Sequence, residues 1–133
     1  MSSLKLCLLF ALIGLAASQF NMDCKIKVKF RQDSHQKVRI DLLIPSLSIM
    51  SDPVILDEFK EEKHVNIKGK NCERKHWVFM IYGEDEHGNW VLKKKHKAKF
   101  TGHGWFLVSM AENYEFQILD RMGVMCSEGM CGK

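Results

Sequence analysis

The sequence predicts an all-β domain, an antiparallel β-sandwich of about eight short strands stapled by disulfides at one pole. Three observations carry that expectation. Apolar and charged residues alternate one by one in several runs, as in Ile26, Val28 and Phe30 against Lys25, Lys27 and Lys29, the period-two signature of a half-buried strand. Turn-forming residues recur at intervals of about a dozen positions, near the spacing expected of sandwiches and barrels. No stretch keeps a helical period over three turns, although residues 55–62 admit a single turn.

The first eighteen residues stand apart from the domain. Lys5, the apolar run from Leu6 to Leu15 and the small residues Ala16-Ala17-Ser18 read as a secretory signal peptide. The run is shorter than the roughly twenty residues that a membrane-spanning helix needs. Cleavage is expected between Ser18 and Gln19, leaving residues 19–133 as one secreted domain of about 115 residues, a length that buries a single core. Such a domain works in an oxidising compartment, where cysteines serve first as cross-links. Losing Lys5 lowers the formal net charge of +4 by one. That mildly basic balance gives nucleic-acid binding no support. No Asn-x-Ser/Thr sequon is present.

The first strand runs from Cys24 to Phe30, and Val38, Ile40 and Leu42, alternating with Lys37, Arg39 and Asp41, give a second. The polar residues 32–36 between them read as a hairpin loop, and Pro45 ends the second run. Pro53 opens a third strand through Phe59, at a first position that proline tolerates. His64 to Lys68 gives a fourth, with Val65 and Ile67 inward. Trp77 to Tyr82 is apolar on both faces, as a central strand should be. Glu84 to Asn89 forms an acidic loop before a long strand, Trp90 to Phe100, and Gly102-His103-Gly104 is expected to break the chain. Trp105 to Met110 and Tyr114 to Leu119 complete the set.

If consecutive strands run antiparallel, their connections alternate between two ends of the domain. The chain start, the residues after Pro45, the Cys72 segment, Gly102-His103-Gly104 and the C-terminal tail then share one pole. Cys24, Cys72, Cys126 and Cys131 all fall there, and a disulfide requires α-carbons within about 7 Å. The preferred pairing is Cys24 with Cys72 and Cys126 with Cys131, contributing at most roughly 4 and 2 kcal/mol by loop entropy. Pairing of Cys24 with Cys126 or Cys131 stays open. A four-thiolate zinc site has the ligand number but lacks both a doubled C-x-x-C and a reducing compartment.

The opposite pole gathers acidic loops with histidines nearby. Asp33, Glu61, Glu62, Glu84, Asp85 and Glu86 supply hard oxygens of the kind calcium takes, and the histidines make a softer divalent ion conceivable. The alternative is that solvated loops are simply charged.

Lys25, Lys27, Lys29 and Arg31, joined by Lys37 and Arg39 if the first two strands pair, are expected to form a basic face. Like charges opposite one another cost stability, so such a face suits an anionic partner, for instance a sulfated glycan. The alternative is an edge strand guarded by lysines against aggregation. In the run Lys93 to Lys97, strand alternation sends Lys93, Lys95 and Lys97 one way and Lys94 and His96 the other. Trp77, Trp90, Trp105, Phe79, Phe100, Phe106, Tyr114 and Phe116 read as core packing, as do the tail methionines Met122, Met125 and Met130 around the disulfides. No G-x-S-x-G, H-E-x-x-H or Gly-rich phosphate loop is present, and no cofactor or catalytic residue is expected.

The segments Cys24-Lys25-Ile26-Lys27-Val28, Gly69-Lys70-Asn71-Cys72 ahead of Trp77, and Arg121-Met122-Gly123-Val124-Met125-Cys126 with the terminal Cys131-Gly132 resemble small excretory/secretory proteins of nematodes. That group combines a signal peptide and four cysteines with no assigned activity. The resemblance implies release outside the cell and contact with host molecules, and it transfers no functional residue. The function expected is a secreted, non-enzymatic module that binds an extracellular protein or glycan through its loops or its basic face. Carriage of a small apolar ligand inside the sandwich is the alternative, with divalent-cation binding a further one.

Overall fold

The structure is a computed structural model that describes residues 23–132. The expected leader and its cleavage point lie outside the described residues. Eight strands form: β1 (Asp23–Gln32), β2 (Val38–Ile44), β3 (Ile49–Met50), β4 (Val54–Leu56), β5 (Glu62–Lys70), β6 (Trp77–Glu84), β7 (Trp90–Ala111) and β8 (Glu115–Ser127). Two single 3-10 turns, Pro45–Leu47 and Glu112–Tyr114, complete the elements.

The all-β class agrees with the alternation, but the architecture differs from an antiparallel sandwich. One mixed sheet, ordered β3-β2-β6-β7-β1-β5 with β4 also on β2 and β8 also on β7, curls into a half-barrel. β1 and β2 do not pair. β1 instead lies between β5, antiparallel to it, and β7, parallel to it. The reason lies in residues 32–36, which form a partly buried polar corner rather than a wholly solvated hairpin loop. Gln32 and Ser34 are buried. Gln32 Nε2 donates to the carbonyls of Gln36 and Leu56, Ser34 Oγ donates to Gln32 Oε1, and Asp33 N donates to the Met110 carbonyl. With its polar atoms satisfied, the corner can leave solvent and carry the chain from one half of the sheet to the other.

β7 is the hinge of the architecture. Its N-terminal half pairs with β6, while its C-terminal half pairs with β8 and β1. Gly102-His103-Gly104 therefore does not end a strand. Gly102 adopts φ 115°, and a Cβ on Gly104 would strike the Met122 carbonyl, so these glycines let β8 approach a strand that bends and continues.

Inward residues of every long strand fill one core. Ile26, Val28 and Phe30 of β1 meet Trp77, Phe79 and Ile81 of β6 and Phe100, Phe106 and Val108 of β7. Phe100 stacks on Phe106 at 4.4 Å, and Phe79 lies 4.8 Å from Phe116. β6 takes the central place its apolar run predicts, between β2 and β7. Tyr114 is half-buried but packs against the core cluster, whereas the aromatic expectation needs correction at Trp90 and Trp105, which are only half-buried and outside it. So does the expectation for the tail methionines, since Met122 and Met125 are 66% and 72% exposed.

Cys24 bonds to Cys72 and Cys126 to Cys131, with α-carbons 6.1 and 5.6 Å apart. This is the preferred pairing, and the pole argument holds around it. Ser46 Oγ donates to the Cys72 carbonyl, Trp77 Nε1 donates to the same oxygen, and a ring nitrogen of His103 meets the Asp23 carbonyl at 3.2 Å. Among the described residues no helix is long and apolar enough to cross a membrane.

Candidate functional site: a cationic sheet face

The outward face of β1 is built by alternation. With Ile26, Val28 and Phe30 fully buried, Lys25, Lys27, Lys29 and Arg31 must point to solvent, at intervals of about 7 Å along the strand. The register with β5 and β7 adds a neighbour on each side. Lys25 stands between Lys68 and His103, Lys27 between Asn66 and Trp105, Lys29 between His64 and Leu107, and Arg31 between Glu62 and Ser109. Lys70, two residues beyond Lys68, shares its side of the sheet.

Charge is graded along this face. At the Arg31 end it is neutralised, because Arg31 forks onto Asp33 with Nε and Nη2 at 3.0 Å. Asp33 also accepts from Lys60 Nζ at 2.9 Å and from Ser109 Oγ. Burial works to raise the Asp33 pKa, and donations from Arg31, Ser109 and Lys60 outweigh it, holding the carboxyl at about 2. At the disulfide end, Lys25, Lys27, Lys29, Lys68 and Lys70 form no ion pair among the described residues. The Lys29 ammonium sits 4.2 Å from the Trp105 ring centroid, a cation–π contact that leaves the charge outward. Between β1 and β5, at Lys25, Lys27 and Lys68, runs an open trough of about 410 Å³ that His103 and Gly104 also border.

Lys37 and Arg39 do not join this face, since β2 belongs to the other half of the sheet. Lys37 pairs with Glu84 at 3.6 Å and lies over Trp90. Arg39 forks onto Asp41 at 3.0 Å and lies over Tyr82. Lys68, Lys70, His64, His103 and Trp105 replace them. Their own alternation placed them on one side of a strand, but nothing local in the sequence named the neighbouring strands. The alternation of Lys93 to Lys97 also slips. A bulge leaves Lys93 without a partner on β6, and it lies over the Tyr114 ring at 5.7 Å.

The acidic loops do come together at the other pole, where His35 stacks on Phe59 and its N–H donates to Glu112 Oε1. Several of their carboxylates are nevertheless engaged one by one. Glu61 accepts from the Asp57 and Glu58 N–H groups and pairs with Lys63. The Asp57 N–H chiefly holds the Glu61 pKa low against the opposing effect of burial, with smaller help from Glu58 and Lys63. Asp85 Oδ1 accepts from His87 N and Asn89 N, closing the β6–β7 turn. Glu84 holds Lys37, Glu62 lies opposite Arg31, and Glu86 is exposed. Among the described residues no three His, Cys, Asp or Glu side chains gather as metal ligands do.

Comparison of the chain with protein-family models, with curated proteins and with solved structures returns no match.

Proposed function

We propose that this protein is an extracellular, non-enzymatic binding module whose partner is a sulfated glycan held along the cationic face of β5, β1 and β7. One observation carries the reading: three of the unpaired lysines, Lys25, Lys27 and Lys29, lie on β1, an interior strand flanked on both sides, with Lys68 and Lys70 beside it on the edge strand β5. An edge strand keeps lysines to deter aggregation, and that explanation does not apply to a strand without a free edge. Lys25 directly opposite Lys68 costs stability, and a linear polyanion relieves that repulsion. Intervals of about 7 Å lie within the Debye length of roughly 8 Å at physiological salt, so neighbouring charges reinforce each other. Trp105, beneath Lys29, offers a flat apolar surface to a sugar ring. Two disulfides are compatible with an extracellular setting.

Heparin-affinity chromatography tests this. The double variant Lys25→Glu/Lys27→Glu is expected to elute at clearly lower salt than wild type. The control Lys95→Glu/Lys97→Glu, with the same charge change on the other half of the sheet, is expected to elute later than the first variant. Equal loss of retention in both would reduce the interaction to net charge and reject the site.

A further inference from the structure

A second concave feature lies on the inner side of the half-barrel, independent of the cationic face. Between the N-terminal half of β7 and β8 runs a groove of about 470 Å³, bordered by Lys94, His96, Phe116, Ile118, Leu119 and Met130. That volume falls within the roughly 300–1,000 Å³ of small-molecule sites. Its floor is part of the core, since Phe116 and Ile118 are buried and Phe116 packs on Phe79. One wall is the C-terminal tail, which is held in place. The Cys126–Cys131 bond turns it back, Lys99 Nζ pairs with Glu128 at 2.7 Å, and Met130 N donates to the Lys97 carbonyl. At the rim, Leu119 and Met130 are 51% and 45% exposed, leaving apolar surface for a ligand to cover.

Among the groove's polar side chains, Lys94, His96, Glu115 and Gln117, one buried atom lacks a partner. Lys94 is exposed and forms no ion pair among the described residues. The His96 ring stacks on Phe116 at 4.8 Å, and its Nε2 is shielded from solvent with no hydrogen-bond partner. Burial first, and Lys94 second, push the His96 pKa below its ordinary value, which favours the neutral imidazole. A buried polar atom without a partner is costly, and here it lies beside an unpaired cation at an apolar trough. We propose that this groove binds a small amphipathic carboxylate, its chain on Phe116, Ile118, Leu119 and Met130 and its headgroup at Lys94 and His96. Glu115, which also borders the groove, opposes a carboxylate, so Glu115→Gln is expected to tighten binding.

Displacement of the fluorescent fatty acid cis-parinaric acid by dodecanoate tests this on the folded, disulfide-bonded protein. Saturable binding of one molecule per chain is expected, with dodecanol weaker than dodecanoate. Lys94→Glu is expected to weaken it about tenfold, the size of one lost charged contact. Leu119→Asp, an exposed change that spares the fold, should weaken it as well, while Lys75→Glu, an exposed change outside the groove, leaves it unchanged. Absence of saturable binding overturns the proposal. So does dodecanol binding as tightly as dodecanoate, or wild-type affinity in both groove variants.

Discussion

Asp33 ties three parts of the chain together, because its carboxylate receives Arg31 of β1, Lys60 of the β4–β5 turn and Ser109 of β7 while its own N–H reaches Met110. With its side chain only 15% exposed, these are partly buried charged contacts rather than solvated ones. Asp33→Asn is expected to cost about 2 kcal/mol, read as a lower melting temperature. The pH dependence has a definite sign. A carboxyl held at about 2 in the fold but near 4 in the unfolded chain contributes stability above about pH 4 and loses it as pH falls towards 2. The melting-temperature difference between wild type and Asp33→Asn should therefore narrow steadily from pH 4 to pH 2. A constant difference would show that the charge of Asp33 is not what stabilises the corner. Gln32 and Ser34 belong to the same corner, and their burial was not legible. A run of polar residues reads as solvated unless the partners that satisfy it are known, and those partners, Leu56 and Met110, are distant in sequence.

Among the strands, β7 and the tail after β8 carry the least obvious features. Glycines inside a strand pattern signal either a break or a close approach, and the sequence does not distinguish the two until β8 is seen against Gly104. Gly104→Ala sets a methyl group against the Met122 carbonyl and is expected to destabilise by about 2–3 kcal/mol, whereas in a solvated turn the same change would be nearly neutral. Chemical denaturation separates these outcomes. The two disulfides also differ by element. Cys24 and Cys72 are fully buried at the start of β1 and after β5, while Cys126 at the end of β8 and Cys131 in the tail are half-exposed. Exchange needs access to the sulfur, so limited dithiothreitol followed by alkylation and peptide mapping should label Cys126 and Cys131 well before Cys24 and Cys72. Their pairing was legible because strand alternation places all four sulfurs at one end whether the neighbouring strands are parallel or antiparallel, and Cys126 and Cys131 are close in sequence.

For the molecule as a whole, period-two alternation determines which side chains share a face and leaves open which strands are neighbours. Lys25, Lys27 and Lys29 were therefore readable as one row, but Lys37 and Arg39 were assigned to it wrongly, and Lys68, His64, His103 and Trp105 were missed. A parallel β1–β7 pair joining residues almost eighty positions apart leaves no local trace. That pair also makes the face noteworthy, because it converts a lysine-bearing hairpin edge into an interior strand with Lys68 of β5 opposite Lys25 on one side and His103 and Trp105 of β7 on the other. Polyanion affinity at such a face should fall steeply with salt, as it does wherever counterions are released.

The most direct measurement is a two-dimensional NMR titration of the isotope-labelled, disulfide-bonded protein with a sulfated heparin oligosaccharide. The account predicts the largest amide shifts at Lys25, Lys27, Lys29 and Lys68 and a shift of the Trp105 indole, all absent with the desulfated sugar. Shifts centred instead on residues 93–97, or no saturable shifts at all, would contradict it.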